Sequence, residues 1–399
     1  MLWITLVDKT GNGLWAGTAA LYFTAVAGLG IAEVGLLISL SGAVGIAGSP
    51  VAGRIADRMP LTRLLIVLQL VRALAAFALL TTDAYGLLLL YAAVGSFGDR
   101  AAGVVTKLYA ARVSGSDRVR YQAVNRTVSN VGFALGGIAA AAALGVATSG
   151  AYRALLIGDA LSYLAVAALT LRCGEPSAPS RVVAGSDGAS PQAPRSPWRD
   201  RTYLLYTASD AVLSLHDSVF RVGIPLWIVH ATTASEGLAP LLMVLNSALV
   251  VFFQVPLARF GATTEAARDL LRPLAVTFVL GAAALAASAV GGPWFATAAL
   301  CATAVLLTLA EMLHSIVSWE LSVALAPDES QGAYLGVHGL AQSAQRSGGP
   351  LAATAAVAAG PMAWAALGAV LAATCWGQRR LVRDHLPAEQ PRPAASAKA

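Results

Sequence analysis

The sequence predicts an all-α integral membrane protein: twelve transmembrane helices in two pseudo-symmetric six-helix bundles, with both termini cytoplasmic. Three observations predict it. Charges are too few for a water-facing surface, apolar segments of spanning length recur along the chain, and one long polar linker lies near its middle. Of 399 residues, 57% are hydrophobic and 12% charged, where soluble domains carry about 25% charged residues. Mean hydropathy is +0.67. So few charges cannot cover the exterior of a soluble globule of this size. A secreted disulfide scaffold, a nucleic-acid-binding domain and a disordered tail protein are excluded together.

A spanning helix needs about 20 mostly apolar residues, because each adds ~1.5 Å across a core of ~30 Å. Val34–Gly53 is 20 residues without a charge, and Thr127–Tyr152 and Gly237–Ala258 are also uncharged. Pro273–Ala310 runs 38 residues without a charge, too long for one span, and Gly291-Gly292-Pro293 divides it. Ser347–Gln378 divides in the same way at Gly360-Pro361. With segments that hold a few internal charges, twelve spans are expected near 3–30, 33–54, 63–82, 85–109, 124–148, 152–171, 202–230, 237–258, 273–290, 294–317, 333–358 and 361–378. The first begins either near Trp3, enclosing Asp8, or near Gly13, leaving Asp8 in the interface.

Net charge is +6, and its distribution sets orientation. Connections after even-numbered spans hold Arg54, Arg58 and Arg63, then Arg112, Arg118 and Arg120, then Arg172, Arg181, Arg195, Arg199 and Arg201, then Arg259, Arg268 and Arg272. The tail adds Arg379, Arg380 and Arg383, while the opposite connections offer only Arg153 as a clear base. The positive-inside rule makes the arginine-rich face cytoplasmic. Asp328 and Glu329, in a connection without a base, are the exception. The only lysines are Lys9, Lys107 and Lys398. The N-terminus has no basic n-region, so no cleavable signal peptide is expected. Cys173, Cys301 and Cys375 share no metal-ligand or redox spacing and read as small apolar fillers.

Gly174–Ser196 is rich in Pro, Ser, Ala and Gly and reads as a flexible linker. The expected units are bundle 1–172, linker 173–201, bundle 202–378 and tail 379–399. A weak internal repeat supports this division. Glu33 and Glu236 open equivalent spans 203 residues apart, Pro50 and Pro256 differ by 206, and Tyr121/Tyr334 and Gly136/Gly349 both differ by 213. Related halves around a central site are a common transporter plan.

The loop between spans 2 and 3 reads Gly53-Arg-Ile-Ala-Asp57-Arg58-Met-Pro-Leu-Thr-Arg63. It resembles the loop signature of the major facilitator superfamily: Gly, three residues, Asp, Arg, then a further base. Pro60 stands where a Gly is common, and Arg63 is displaced by one residue. Span count, linker and half-repeat extend the resemblance over nearly the whole chain. Asp57 can cap a nearby helix N-terminus or pair with a neighbouring base and hold the halves closed inside; the alternative is a charged loop that only fixes topology. Gly132, Gly136 and Gly137 in span 5 partly resemble the superfamily's antiporter glycine motif without its Pro, and Gly348-Gly349-Pro350 in the second half carries one. Close helix packing explains Gly132 and Gly136 equally well.

Charges at bilayer depth cost at least ~2.5–3.5 kcal/mol and therefore mark partners or an aqueous cavity. Span 4 holds Asp99 and Arg100, whose adjacent positions point about 100° apart and pair with different neighbours. The superfamily's exporters carry an Arg at a similar position, with Gly four residues on; here Gly103 comes three on. Span 7 is the most polar helix. Asp210, Asp217 and Arg221 fall on one helical stripe suited to a cavity wall, alongside His216. The other reading is a local Asp217–Arg221 bridge with Asp210 near the interface. A carboxylate on that stripe, or Glu311 in span 10, can carry a proton between wet and dry surroundings. Asp8, Arg72, Asp159 and Arg346 complete the candidates. His314 and His338 read as hydrogen-bonded packing residues, with a proton relay as the minority reading.

No Walker loop, dinucleotide glycine pattern, HExxH or GxSxG appears. Neither an enzyme nor an autonomous ATP-driven pump is expected, and no cofactor, metal or nucleic acid is implied. The resemblance implies a proton-coupled permease, within which efflux of amphipathic drugs or metabolites is favoured over uptake by symport. A scaffold or sensor and an intramembrane enzyme are less supported. Cavity walls are expected to be largely apolar and aromatic. The expected setting is the plasma (inner) membrane, multi-pass and monomeric, with the lipid bilayer, protons and a small-molecule substrate as partners.

Overall fold

The computed structural model describes residues 1–176 and 196–385 apart from Gly17, Ala147 and Glu236. The linker arginines Arg181 and Arg195, the repeat position Glu236 and the tail's Lys398 lie outside the described residues. Among the described residues all regular structure is helical. Span 1 comprises Leu2–Ala16 and Ala19–Ala25, and span 2 comprises Ile31–Ile46 and Gly48–Ala56. Spans 3 to 6 are Leu61–Leu79, Tyr85–Ser114, Arg118–Val146 and Ser149–Leu171. Span 7 is built from Arg201–Leu213, Leu215–Ser218, a π-helical turn Val219–Gly223, and Ile224–Ala231. Spans 8 to 12 are Leu238–Ala258, Leu271–Ala287, Pro293–Ala324, Gln331–Ala359 and Pro361–His385.

Among the described residues, eight helices are long and apolar enough to cross a membrane by composition alone. Spans 1, 5, 11 and 12 are not among the eight; polar residues dilute spans 1 and 11, Asp8, Lys9 and Asn12 in the one and Gln342, Gln345 and Arg346 in the other. Span 1 starts at Leu2, which settles that Asp8 lies inside it. Spans 4, 5, 10 and 12 run past their expected ends, because backbone hydrogen bonding continues where the apolar run stops. The two breaks fall at glycines in the left-handed region, Gly291 at φ 98° and Gly360 at φ 85°, each just ahead of a span that begins with Pro.

At the arginine-rich face, carboxylates satisfy helix N-termini, where backbone N–H groups lack intrahelical partners. Glu175 accepts from Leu61 N at 2.6 Å and Thr62 N at 2.9 Å, and Asp200 accepts from Tyr203 N at 3.0 Å. Each half has its own core. Tyr203, Tyr206, Trp227, Phe278 and Trp364 are fully buried in the second. Tyr22, Phe23 and Leu88 pack together in the first, and Leu61, Leu65 and Leu108 form another cluster that also takes in Val323 and Leu335 of the second half. Leu74, Ile138, Phe252 and Leu351 face outward, as a lipid-facing surface requires.

The half-repeat is visible in packing. A Cβ on Gly136 of span 5 would stand 2.1 Å from the Thr10 carbonyl oxygen of span 1, and one on Gly349 of span 11 would stand 2.1 Å from Ser218 Oγ of span 7. The same helix pair in each half thus meets at a glycine. Gly132 likewise abuts Leu6, whereas Gly137 and Gly348 face open space.

Candidate functional site

A cavity of about 460 Å³ lies between the halves, lined by spans 1, 2, 3, 4, 5, 7, 10 and 11. Its walls differ from the apolar, aromatic lining expected. Asp8, Arg72, Asp99, Arg100, Lys107, Arg126, Asp210, Asp217, Glu311 and Arg346 all contribute, and among the described lining residues Trp319 is the one aromatic ring apart from the histidines. Composition assigns the apolar residues of these helices to the cavity. They pack instead into the two cores or face outward, and the polar minority turns inward.

The first wall is an ion cluster on Arg72, 3% exposed. Its Nη1 donates to Asp8 Oδ1 at 2.8 Å and Gln69 Oε1 at 2.9 Å; its Nη2 donates to Asp99 Oδ1 and Asn12 Oδ1, both at 3.1 Å. The guanidinium also lies 4.0 Å from the centre of the Tyr163 ring, a cation–π geometry. Tyr163 Oη donates to Asp159 Oδ2 at 2.9 Å, which keeps Asp159 behind the cluster rather than in the cavity.

The second wall divides span 7. The expected single stripe of Asp210, Asp217 and Arg221 is not what the structure builds. The helix breaks at Ser214 and widens into the π turn, so the three residues diverge. Asp210, 2% exposed, points between spans 10 and 11. His314 Nε2 stands 3.0 Å from its Oδ1, Ser318 Oγ donates to Oδ2 at 3.0 Å, and His338 Nε2 lies 3.1 Å from Oδ2 outside hydrogen-bond angles. Lys107 of span 4 reaches this group from the other half, donating to Ser322 Oγ at 2.8 Å and lying 3.5 Å from His338 Nδ1. Asp217 faces Gln345, whose Nε2 lies 3.3 Å from Oδ2, and accepts from Arg221 Nε at 2.8 Å. Arg221 is 65% exposed and does not line the cavity. The two histidines, read from the sequence as packing residues with a proton relay as the minority reading, bracket the most buried carboxylate of the second half.

Further pairs cross between halves. Arg126 of span 5 pairs with Glu311, whose Oε2 also accepts from Asn246 at 2.7 Å. Arg118 Nε donates to Glu320 at 2.6 Å. Arg100 Nη1 donates to Ser343 Oγ at 3.0 Å, and Arg346 Nη1 lies 3.8 Å from Asp99 Oδ2. Asp57 Oδ1 and Oδ2 accept from Gly332 N at 2.7 Å and Ala333 N at 2.8 Å, at the start of span 11. Arg58 and Arg63 face outward. Gly53 and Gly336 bring spans 2 and 11 into backbone contact: a Cβ on Gly53 would stand 2.2 Å from Gly332 O. The halves are thus joined at the arginine-rich face and up to the level of Asp99 and Glu311.

Lys107 and Arg126 escape the sequence reading of intramembrane charges because both sit close to an expected span end. Their helices run on to Ser114 and from Arg118, which places them about two turns inside, ~10–12 Å from those ends. Asn12, Asn246 and Gln345, uncharged amides, give no distinguishing sequence signal.

Residues 2–353 match the family model described as Major Facilitator Superfamily. No curated protein is similar in sequence at a significant level. The fold resembles that of a bacterial homologue of the iron transporter ferroportin in an outward-facing state, with a TM-score of 0.71 and 14% identity over 96% of this chain and 97% of that one. FucP in its outward conformation gives 0.70 and 15% over the same shares. The proton:xylose symporter XylE gives 0.63 and 14% over 96% and 95%.

Proposed function

The chain belongs to the major facilitator superfamily, and from that premise we propose that it is a proton-coupled secondary transporter exporting small amphipathic molecules that bear a charged group. The bundles 1–172 and 202–378 rock about the cavity, joined by linker 173–201 and followed by tail 379–399. The arginine-rich face is cytoplasmic in this reading, in the plasma (inner) membrane. The polar lining narrows the substrate: a purely apolar compound would strip water from many charges without replacing their partners.

The observation that carries coupling is the Asp210–His314–His338 group with Lys107 reaching it from the opposite half. A buried carboxylate held between two imidazoles offers a proton a site where charge on either ring is offset, so no full charge is stranded. Protonation adds positive charge beside Lys107 and repels it. That loosens the contact between halves at the cytoplasmic face and favours inward opening. Deprotonation there restores the contact, so proton entry drives the cycle and the substrate uses the return stroke. Glu311 is held by Arg126 of the opposite half and serves the closure between halves more directly than the proton, while Asp217 is held within the second half by Arg221 and Gln345.

Inverted vesicles with an imposed proton gradient test this. A panel of charged amphipathic compounds is added and gradient collapse is followed with a pH-sensitive dye. Wild type collapses the gradient with at least one compound. Asp210→Asn and His338→Gln lose that response yet retain exchange of labelled compound across both membrane faces. Collapse undiminished in both variants overturns the coupling assignment, and collapse only in right-side-out vesicles overturns efflux.

A further inference from the structure

Among the described residues, charge matching around the cavity leaves two cations over. Lys9 is 2.9 Å from Asp8; Arg72 is shared by Asp8 and Asp99. Arg126 is matched by Glu311 and Arg221 by Asp217. Lys107 is matched through His338 to Asp210. Every described carboxylate on the walls is therefore engaged by a base other than Arg100 or Arg346. Arg100 has one neutral partner, Ser343 Oγ, and Arg346 has only the 3.8 Å approach to an Asp99 already held by Arg72.

The two arginines are neighbours. Arg100 bonds Ser343 while Asp99, the preceding residue, meets Arg346, three positions along span 11. They belong to opposite halves and both face the cavity, where Arg346 is 53% exposed. Beside them the wall is open: a Cβ on Gly103, one turn beyond Arg100, would meet nothing within 4 Å. Two guanidiniums with most of their N–H donors free, opposed across a water-accessible gap, match the forked geometry of an oxyanion.

We propose that Arg100 and Arg346 form the binding site for the carboxylate or phosphate group of an organic anion, which defines the charged group of the transported class. This rests on the transporter reading above. The site also explains how cargo reaches the moving parts: an oxyanion between the guanidiniums replaces like-charge repulsion across the halves with attraction to both, so binding draws spans 4 and 11 together.

The test is equilibrium binding by calorimetry on the full-length protein in detergent, which needs no flux. Benzoate, succinate and inorganic phosphate are the anionic probes; glucose and tetraphenylphosphonium are the neutral and cationic ones. At least one anion binds in the millimolar range or tighter, and the anion that binds tells carboxylate from phosphate. Arg100→Gln and Arg346→Gln each weaken it about tenfold to a hundredfold. Arg346→Lys, which keeps charge but loses the fork, falls between, and Arg272→Gln on span 9 leaves binding unchanged. Thermal unfolding of each variant checks that it is folded. Binding of tetraphenylphosphonium or glucose alone, binding of no anion at millimolar concentration, or anion binding indifferent to both arginines overturns the proposal. Failure of the transporter reading has a different signature: Arg-dependent anion binding with no movement of any solute in proteoliposomes.

Discussion

The Asp57 carboxylate stands 2.7 Å from the backbone nitrogen of Gly332, so a loop of the first half caps the first turn of a helix in the second. The contact needs both glycines of the crossing, since a Cβ on Gly53 or Gly332 would lie within 2.5 Å of the opposing backbone or of Asp57 itself. Gly53→Ala is therefore expected to open the arginine-rich face. The backbone clash costs on the order of 1–3 kcal/mol, enough to shift the balance of states about fivefold to a hundredfold. A cysteine introduced at Ser49, buried under this contact, should become reactive to a water-soluble maleimide in that variant. Unchanged reactivity would show that the glycine crossing does not hold the face shut.

Asp57 also gives this closure a pH dependence of definite sign. Burial pushes its carboxyl above the ordinary carboxylate range, outweighing the lowering by the Ala333 and Gly332 N–H groups and by Arg112 and Arg58. On opening, the carboxyl returns to water and to about 3.9. The closed face then holds the proton more tightly than the open one, so the Asp57 contribution to closure is full below about 3.9 and declines as pH rises through the raised value. Asp57→Asn keeps an acceptor for the helix cap and cannot titrate. On a Ser49→Cys background, the difference in labelling between the protein that keeps Asp57 and its Asp57→Asn variant should therefore grow with pH across that window. A difference that shrinks reverses the assignment.

The glycines of span 5 separate cleanly by contact. Gly136→Ala must push span 1 away from span 5, at a cost on the order of 1–3 kcal/mol, whereas Gly137→Ala meets nothing within 4 Å. The first variant should melt several degrees lower in detergent than the second, which should match wild type or exceed it, since Ala favours helix over Gly by about 1 kcal/mol. Equal melting temperatures would remove the packing explanation for Gly136.

Much of this is legible in the sequence. The span count, the basic face and the loop from Gly53 to Arg63 follow from hydrophobic length and charge placement, which are local properties. Asp99 and Arg100 pointing to different partners follows from helical geometry. The Asp210 group is not legible, because His314 and His338 lie more than a hundred residues away on other helices and only folding brings them to one carboxylate. Periodicity also misplaces Arg221, since a regular 3.6-residue helix cannot reveal the widened turn at Val219–Gly223. The cavity's polarity is hidden for a related reason: composition counts the apolar majority of a helix, while its few polar residues decide which face turns inward.

Arg126 and Glu311 offer the clearest energetic test of closure between halves, because the pair bridges spans 5 and 10 with both partners largely withdrawn from water. Removing one partner strands the other's charge, which in buried pairs costs about 3–5 kcal/mol, whereas removing both leaves no orphan. Glu311→Gln alone and Arg126→Gln alone should each lower the melting temperature in detergent, Arg126→Gln less sharply because Asn246 still bonds Glu311. The double variant should recover a large part of the loss. A double-mutant cycle with a coupling energy above about 1 kcal/mol establishes that the pair acts as a unit. Simple additivity of the two losses would show that each residue is held by other groups and that the pair does not join the halves.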